Sequence, residues 1–170
     1  MLTEKEIIKF VKPFYAKKDP MHGFPHILRI KKKVSFLKKQ YKNVDKDMLN
    51  FLIYFHGIKK FVKENKNKLL SLDFKKEQIK SLTRAEDTPT TIEEKIVCDA
   101  NMLENVGKFG IKKTLILAKH YNQTKKETLL LLNKFMPKYK FYTPLGKKLG
   151  ALGIKIKKKW LEEEMNKLNL

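Results

Sequence analysis

Three histidines and one aspartate in this chain have types and positions suited to joint chemistry: His22, His26, His56 and Asp99. Neutral imidazoles together with a carboxylate suit a divalent transition ion such as Mn, Fe, Ni, Co or Zn, with Mg a further candidate. His56 closes the apolar run Asn50-Phe51-Leu52-Ile53-Tyr54-Phe55, where a buried imidazole needs a partner such as a metal. The next residue, where a second hard ligand would be useful, is Gly57. Asp99 lies in the apolar segment from Glu93 to Leu103, and a buried carboxylate needs a cation or several donors. Taken singly, each histidine reads as a packed structural imidazole. As a set they could close with Asp99 on one ion, or on none if the site has lost its chemistry. His120 ends a helical segment and reads as lying outside the set.

The elements that must position these residues all read as helices. Apolar positions Ile7, Ile8, Phe10, Val11, Phe14 and Tyr15 share a helical face over 3–17, with Pro13 placed to kink or end it. Residues 19–25 form a turn that holds His22, and Pro25 suits the first helical position of a helix over 25–42. Asp45 caps a helix over 46–56 that is apolar nearly all round and therefore buried. Residues 57–73 read as irregular and lysine-rich. Further helices are expected over 74–84, 91–105, 111–120, 124–136 and 144–168. Thr90-Thr91-Ile92-Glu93 opens one of them as a capping box. The run Leu129–Leu132 predicts packing on more than one side, and Trp160 reads as a core anchor. Alternation of apolar and polar residues is nowhere sustained, so the expectation is an all-α fold, one single domain over 1–170.

Composition bounds the function. Hydrophobic residues make up 42% of the chain, and glycine and proline are few, which excludes a disordered or fibrous class. There is no run of about 18 apolar residues, so no membrane span is expected, and the N-terminal residues lack a signal-peptide apolar block. A single cysteine, Cys98, fits a reducing cytoplasm. Lys+Arg is 39 against Asp+Glu 18, a formal net charge of +21, and Arg29 and Arg84 are the only arginines. That excess points to a polyanion. Lysines offer point charges to phosphates rather than the bidentate fork that reads base edges, so contact with nucleic acid would be backbone-directed. A solvated cationic surface without a specific partner is the plainer reading.

At these residues the chain resembles the HD superfamily of metal-dependent phosphohydrolases, in its small all-α bacterial and archaeal group. The opening segment Asp19-Pro20-Met21-His22-Gly23-Phe24-Pro25-His26-Ile27-Leu28-Arg29-Ile30 is similar to that group's first motif. Phe51 to Ile58 resembles the helix that ends in His-Asp, and Asp99-Ala100-Asn101 resembles its Asp-Ala-Asp segment. Gly107-Lys108-Phe109-Gly110-Ile111 and Tyr142-Thr143-Pro144-Leu145-Gly146 look like its later motifs.

The resemblance implies an HD-type helical bundle whose metal ligands are His26, His56 and either Asp99 or Asn101. His22 would be an accessory ligand or a substrate contact, and Lys59 and Lys60 would meet the substrate phosphate. The same resemblance locates two departures: the motif aspartate after His56 is Gly57, and the last aspartate of the third motif is Asn101. Three functional readings follow. One is a divergent metal-dependent hydrolase of a phosphomonoester, nucleotide or nucleic-acid phosphate, with Glu86 and Asp87 the carboxylates that could approach as a base. The second is a non-catalytic HD-fold protein that binds RNA or a ribonucleoprotein through its lysines. The third is a structural helical protein with packed histidines.

Overall fold

Apolar residues recurring at helical spacing bury one stripe of nearly every segment, and the computed structural model describes residues 2–85 and 88–170, all of whose regular elements are helical. Glu86 and Asp87 lie outside the described residues. The chain forms an all-α helical fold with two compact units. The first comprises Lys18 and the residues before it together with His22–Cys98, and the second comprises Asp19–Met21 and Asp99–Leu170.

In the first unit, α1 (Glu4–Tyr15) starts at a reciprocal cap between Thr3 and Glu6 and buries Ile7, Val11 and Tyr15 at successive i+4 positions. Pro13 lies in the last turn, and the helix runs two residues past it. α2 (Phe24–Leu37) has Pro25 in its first turn and continues into a short 3-10 turn, Lys38–Gln40. α3 (Lys46–Phe55) is capped by the Asp45 carboxylate, which accepts from the Asp47 and Met48 amides. Phe51, Leu52, Tyr54 and Phe55 are almost wholly buried, as the all-round apolar pattern requires.

The segment expected to be irregular is mostly helical: a 3-10 turn at His56–Ile58, then α4 (Lys59–Glu64) and α5 (Lys66–Ser71). Its fully buried residues are only Ile58, Val62 and Leu69, so the lysines between them mask the helical period. α6 (Lys76–Arg84) packs against α3. α7 (Ile92–Met102) begins one residue later than the capping pattern suggested. The Thr91 hydroxyl accepts from the Glu94 amide, and the Glu94 carboxylate accepts from the amides of Thr90 and Thr91.

In the second unit, α8 (Gly107–His120) starts four residues before the expected position. Gly107 adopts φ +64°, which favours glycine, and a Cβ on Gly110 would overlap the Asn105 backbone. α9 (Lys125–Phe135) and α10 (Pro144–Asn166) complete the unit, both packing on α8. Only Leu129 and Leu132 of the apolar run are buried; Leu130 and Leu131 are exposed, so α9 packs on one side and not on several. Trp160 packs on the cluster of Leu129, Leu132, Met136 and Leu161, as expected of an anchor. The basic-then-acidic order along α10 creates the i,i+4 pairs Lys158–Glu162 and Lys159–Glu163.

Candidate functional site

The first unit gathers three of the four histidines. His26 occupies the first turn of α2, almost fully buried, and its amide donates to the Gly23 carbonyl at 2.9 Å. His22 is half-buried in the preceding turn, with its ring edge-on to His26 at 5.5 Å between centroids. His56, half-buried, opens the 3-10 turn after α3, with its ring centroid 6.1 Å from that of His26. The chain thus brings its predicted histidine set together through one turn, one helix start and one helix end. Rings at these separations could share a single small anion or ion.

Gly57 is the next residue, and the structure shows what its missing side chain makes room for. A Cβ there would lie 2.7 Å from Tyr15 Cε1 and 3.1 Å from Tyr15 Oη, closer than atoms pack. Tyr15 is held in that place. Its hydroxyl donates to the Tyr54 carbonyl at 2.8 Å and accepts from the Gly57 amide at 3.1 Å. Burial pushes its ionisation well above the usual phenol range, despite the opposing Gly57 hydrogen bond, so the group stays neutral. The Gly57 carbonyl accepts from Lys18 Nζ at 2.6 Å. A neutral phenol therefore fills the space that a side chain at position 57 would enter, and an ammonium engages the backbone carbonyl of the same residue. Nothing in the sequence marked Tyr15 beyond its place on the apolar face of α1.

Asp99 belongs to the second unit and has its own partners. One carboxylate oxygen accepts from the Tyr142 amide at 2.8 Å, and the other from the amide (2.8 Å) and hydroxyl (2.6 Å) of Thr143. Thr143 in turn caps α10 through the Gly146 amide. A Cβ on Gly146 would collide with the Asp99 carboxylate, so that motif glycine exists to let α10 approach it. Burial raises the Asp99 carboxyl above its usual range, while the hydrogen bonds from Thr143 and Tyr142 pull the other way. Several donors thus satisfy this buried carboxylate, the alternative to a cation. Asn101, two residues on, is about 200° further around α7 and cannot share the face that Asp99 presents. It is half-buried and carries no charge.

Lys59 is half-buried at the start of α4, and Lys60 is exposed, 3.9 Å from Glu64. Sequence reasoning missed a second buried carboxylate, Glu94. It is fully buried and accepts from the Arg84 guanidinium, the Ser81 hydroxyl at 2.6 Å, and the Thr90 and Thr91 amides. Burial alone would raise its pKa, but these donors, Arg84 foremost, outweigh it and bring it to about 2. The spacing Ser81-x-x-Arg84, with the pair Glu93-Glu94 nine and ten residues after Arg84, was the only signal for it.

These residues do not furnish the donor set of a carboxylate-bearing metal centre. Position 57 has no side chain and Tyr15 closes over it, Asn101 is neutral, and Asp99 is engaged at the start of α10. Among the described residues no group of three or more His, Cys, Asp or Glu side chains is arranged to hold a metal ion. Also among the described residues, no helix is long and apolar enough to cross a membrane.

No family model matches the sequence, and no curated protein matches it. Solved structures match it over nearly its full length. The Lin1889 protein of Listeria innocua is 22% identical, with 99% of each chain covered and a TM-score of 0.69. An HD-superfamily hydrolase of Bacillus thuringiensis is 19% identical, with 98% of this chain and 96% of that one covered and a TM-score of 0.69. YpgQ of Bacillus subtilis, solved in complex with ADP, is 15% identical, with 97% of each chain covered and a TM-score of 0.70. The fold is that of the HD-superfamily hydrolases, as the motifs implied.

Proposed function

We propose that this chain, which has the HD-superfamily hydrolase fold, binds a phosphate-bearing polyanion, RNA above all, through its lysine surface and without metal-dependent hydrolysis. The observation that carries this reading is Tyr15, hydrogen-bonded to the Gly57 amide where the hydrolase motif has an aspartate. The loss of that carboxylate has been packed over rather than left open, so the site has acquired another structure. The net charge of +21, nearly all of it from lysine, supplies the attraction to phosphates. The cluster of His22, His26 and His56, with Lys18 beside it, suits a phosphate oxygen without needing an ion.

Binding of a single-stranded RNA across a salt series tests the reading. The logarithm of affinity should fall linearly with the logarithm of salt, with a slope of about −0.7 per phosphate contacted. A flat response, or no binding at low salt, would defeat it. The histidine cluster favours one second reading, a divergent hydrolase holding a single divalent ion on His26 and His56. Metal analysis of the purified protein beside His56→Ala decides between them. Stoichiometric metal in the wild type that is absent from the variant, with phosphate release from a nucleotide, would favour the second.

A further inference from the structure

The second unit contains two cavities that the histidine cluster does not account for. One, of about 330 Å³, lies between α8, α9 and α10 beside Trp160 and Leu115. The other, of about 290 Å³, is walled by Leu131, Phe135 and Tyr139. Both are near the small end of the ~300–1,000 Å³ typical of small-molecule sites. Gln123 and Thr128 line both, so the two cavities adjoin. Trp160 packs on Leu129, Leu132, Met136 and Leu161, yet it is only half-buried and also lines the first cavity. Phe135 is 43% exposed, and Tyr139 is half-buried.

Gln123 stands between these aromatic walls on a well-fixed turn. Its backbone amide donates to the Ala118 carbonyl at 2.9 Å, and Asn122 before it holds φ +53°. Among the described residues nothing hydrogen-bonds the Gln123 side chain, which offers both a donor and an acceptor. Lys119 lines the first cavity, and Lys138 Nζ lies 5.2 Å from the Phe135 ring centroid. Neither lysine has an acidic partner among the described residues. Glu164, the carboxylate on the first wall, is already paired with Lys125 and Lys167. Aromatic walls, an unengaged amide and lysines without counter-charge are the parts of a single-strand site. Bases stack on rings, an amide meets a base edge, and ammonium groups meet phosphates. A duplex keeps its bases in its own stack and could fill neither cavity.

We propose, on the reading of this chain as an RNA binder, that the adjoining cavities seat two bases of one single strand, one at Trp160 and one at Phe135 and Tyr139, with Gln123 between them. Trp160 is the only tryptophan, so its emission reports on the first cavity. The probes are a short oligoadenylate, an abasic ribose-phosphate oligomer of the same length, and polyglutamate. At low salt the oligoadenylate should quench Trp160 in a saturable manner and bind roughly tenfold or more tightly than the abasic oligomer. The abasic oligomer and polyglutamate should bind through charge without quenching. Phe135→Gln, at an exposed position, should weaken oligoadenylate binding about fivefold or more and leave abasic binding unchanged. The quenching comparison in the wild type stands even if the variant folds poorly. Equal affinity for both oligomers without quenching would overturn the seating of bases and leave the RNA reading intact. No binding of either oligomer at low salt would overturn both. Equal quenching by polyglutamate would assign the cavities to an acidic protein segment and overturn the proposal.

Discussion

Gly57 removes a side chain, and the residue that closes over the gap is Tyr15, forty-two positions earlier. This pair can be tested directly. Gly57→Ala places a methyl 2.7 Å from a buried, doubly hydrogen-bonded ring that has nowhere to move, and should cost about 1–3 kcal/mol. In the background of Tyr15→Leu the same change should cost far less, so a double-mutant cycle by urea denaturation reads the coupling. Additive costs would mean that the two residues do not compete for one space. Glu94 is the complementary case, a buried carboxylate kept charged by Arg84, Ser81 and two amides. Glu94→Gln leaves the guanidinium facing a neutral amide and should cost about 3 kcal/mol. The pH dependence has a definite sign. The folded-state pKa of about 2 lies below the ordinary 4.5, so the contribution is complete above about pH 4.5 and lost as pH falls toward about 2. Wild-type and variant stabilities should therefore converge on acidification through that window. A constant gap would mean that Glu94 does not titrate with folding.

At the scale of elements, the start of α10 depends on a single carboxylate. Asp99 binds the Tyr142 and Thr143 amides and the Thr143 hydroxyl, and Thr143 then caps the helix. Asp99→Ala leaves those donors without acceptors and should cost about 3 kcal/mol, measured by thermal or urea unfolding. RNA affinity well below the transition should be unchanged, because the residue holds a helix end rather than a ligand; a stable variant that has lost RNA binding would refute that assignment. Most helices were legible in the sequence because their apolar stripes are long: α1, α2 and α3 announce themselves through Ile7, Val11, Ile27, Ile30, Leu49 and Leu52. α4 and α5 were not, since each buries a single residue and lysines break the period. Caps shifted where two candidates stand side by side, as at Thr90 and Thr91. The histidine cluster was legible from its motifs. The partners of Asp99 and the closure of Tyr15 over Gly57 were not, because contacts between residues some forty positions apart leave no local pattern.

At the scale of the whole molecule, a net charge of +21 acts on stability and on binding in opposite directions. Most of the lysines lie on exposed helix faces and repel one another, which favours the expanded chain. The exposed ion pairs, such as Lys158–Glu162 and Lys60–Glu64, are individually worth little. Raising ionic strength from about 0.1 M to about 1 M shortens the screening length from ~10 Å to ~3 Å. Screening weakens the many repulsions more than the few attractions, so Tm should rise with added NaCl. The Arg84–Glu94 contact, whose carboxylate is fully buried, is partly shielded from that screening, and Glu94→Gln should show the same salt-induced rise from a lower starting Tm. RNA affinity should fall over the same range, since each released counterion costs more in concentrated salt. A calorimetric salt series on the free protein and a binding series on the complex check both. Opposite slopes tie stability and binding to one surface charge, whereas a Tm that falls with salt would place the dominant electrostatics in the ion pairs and leave the lysine excess without its assigned use.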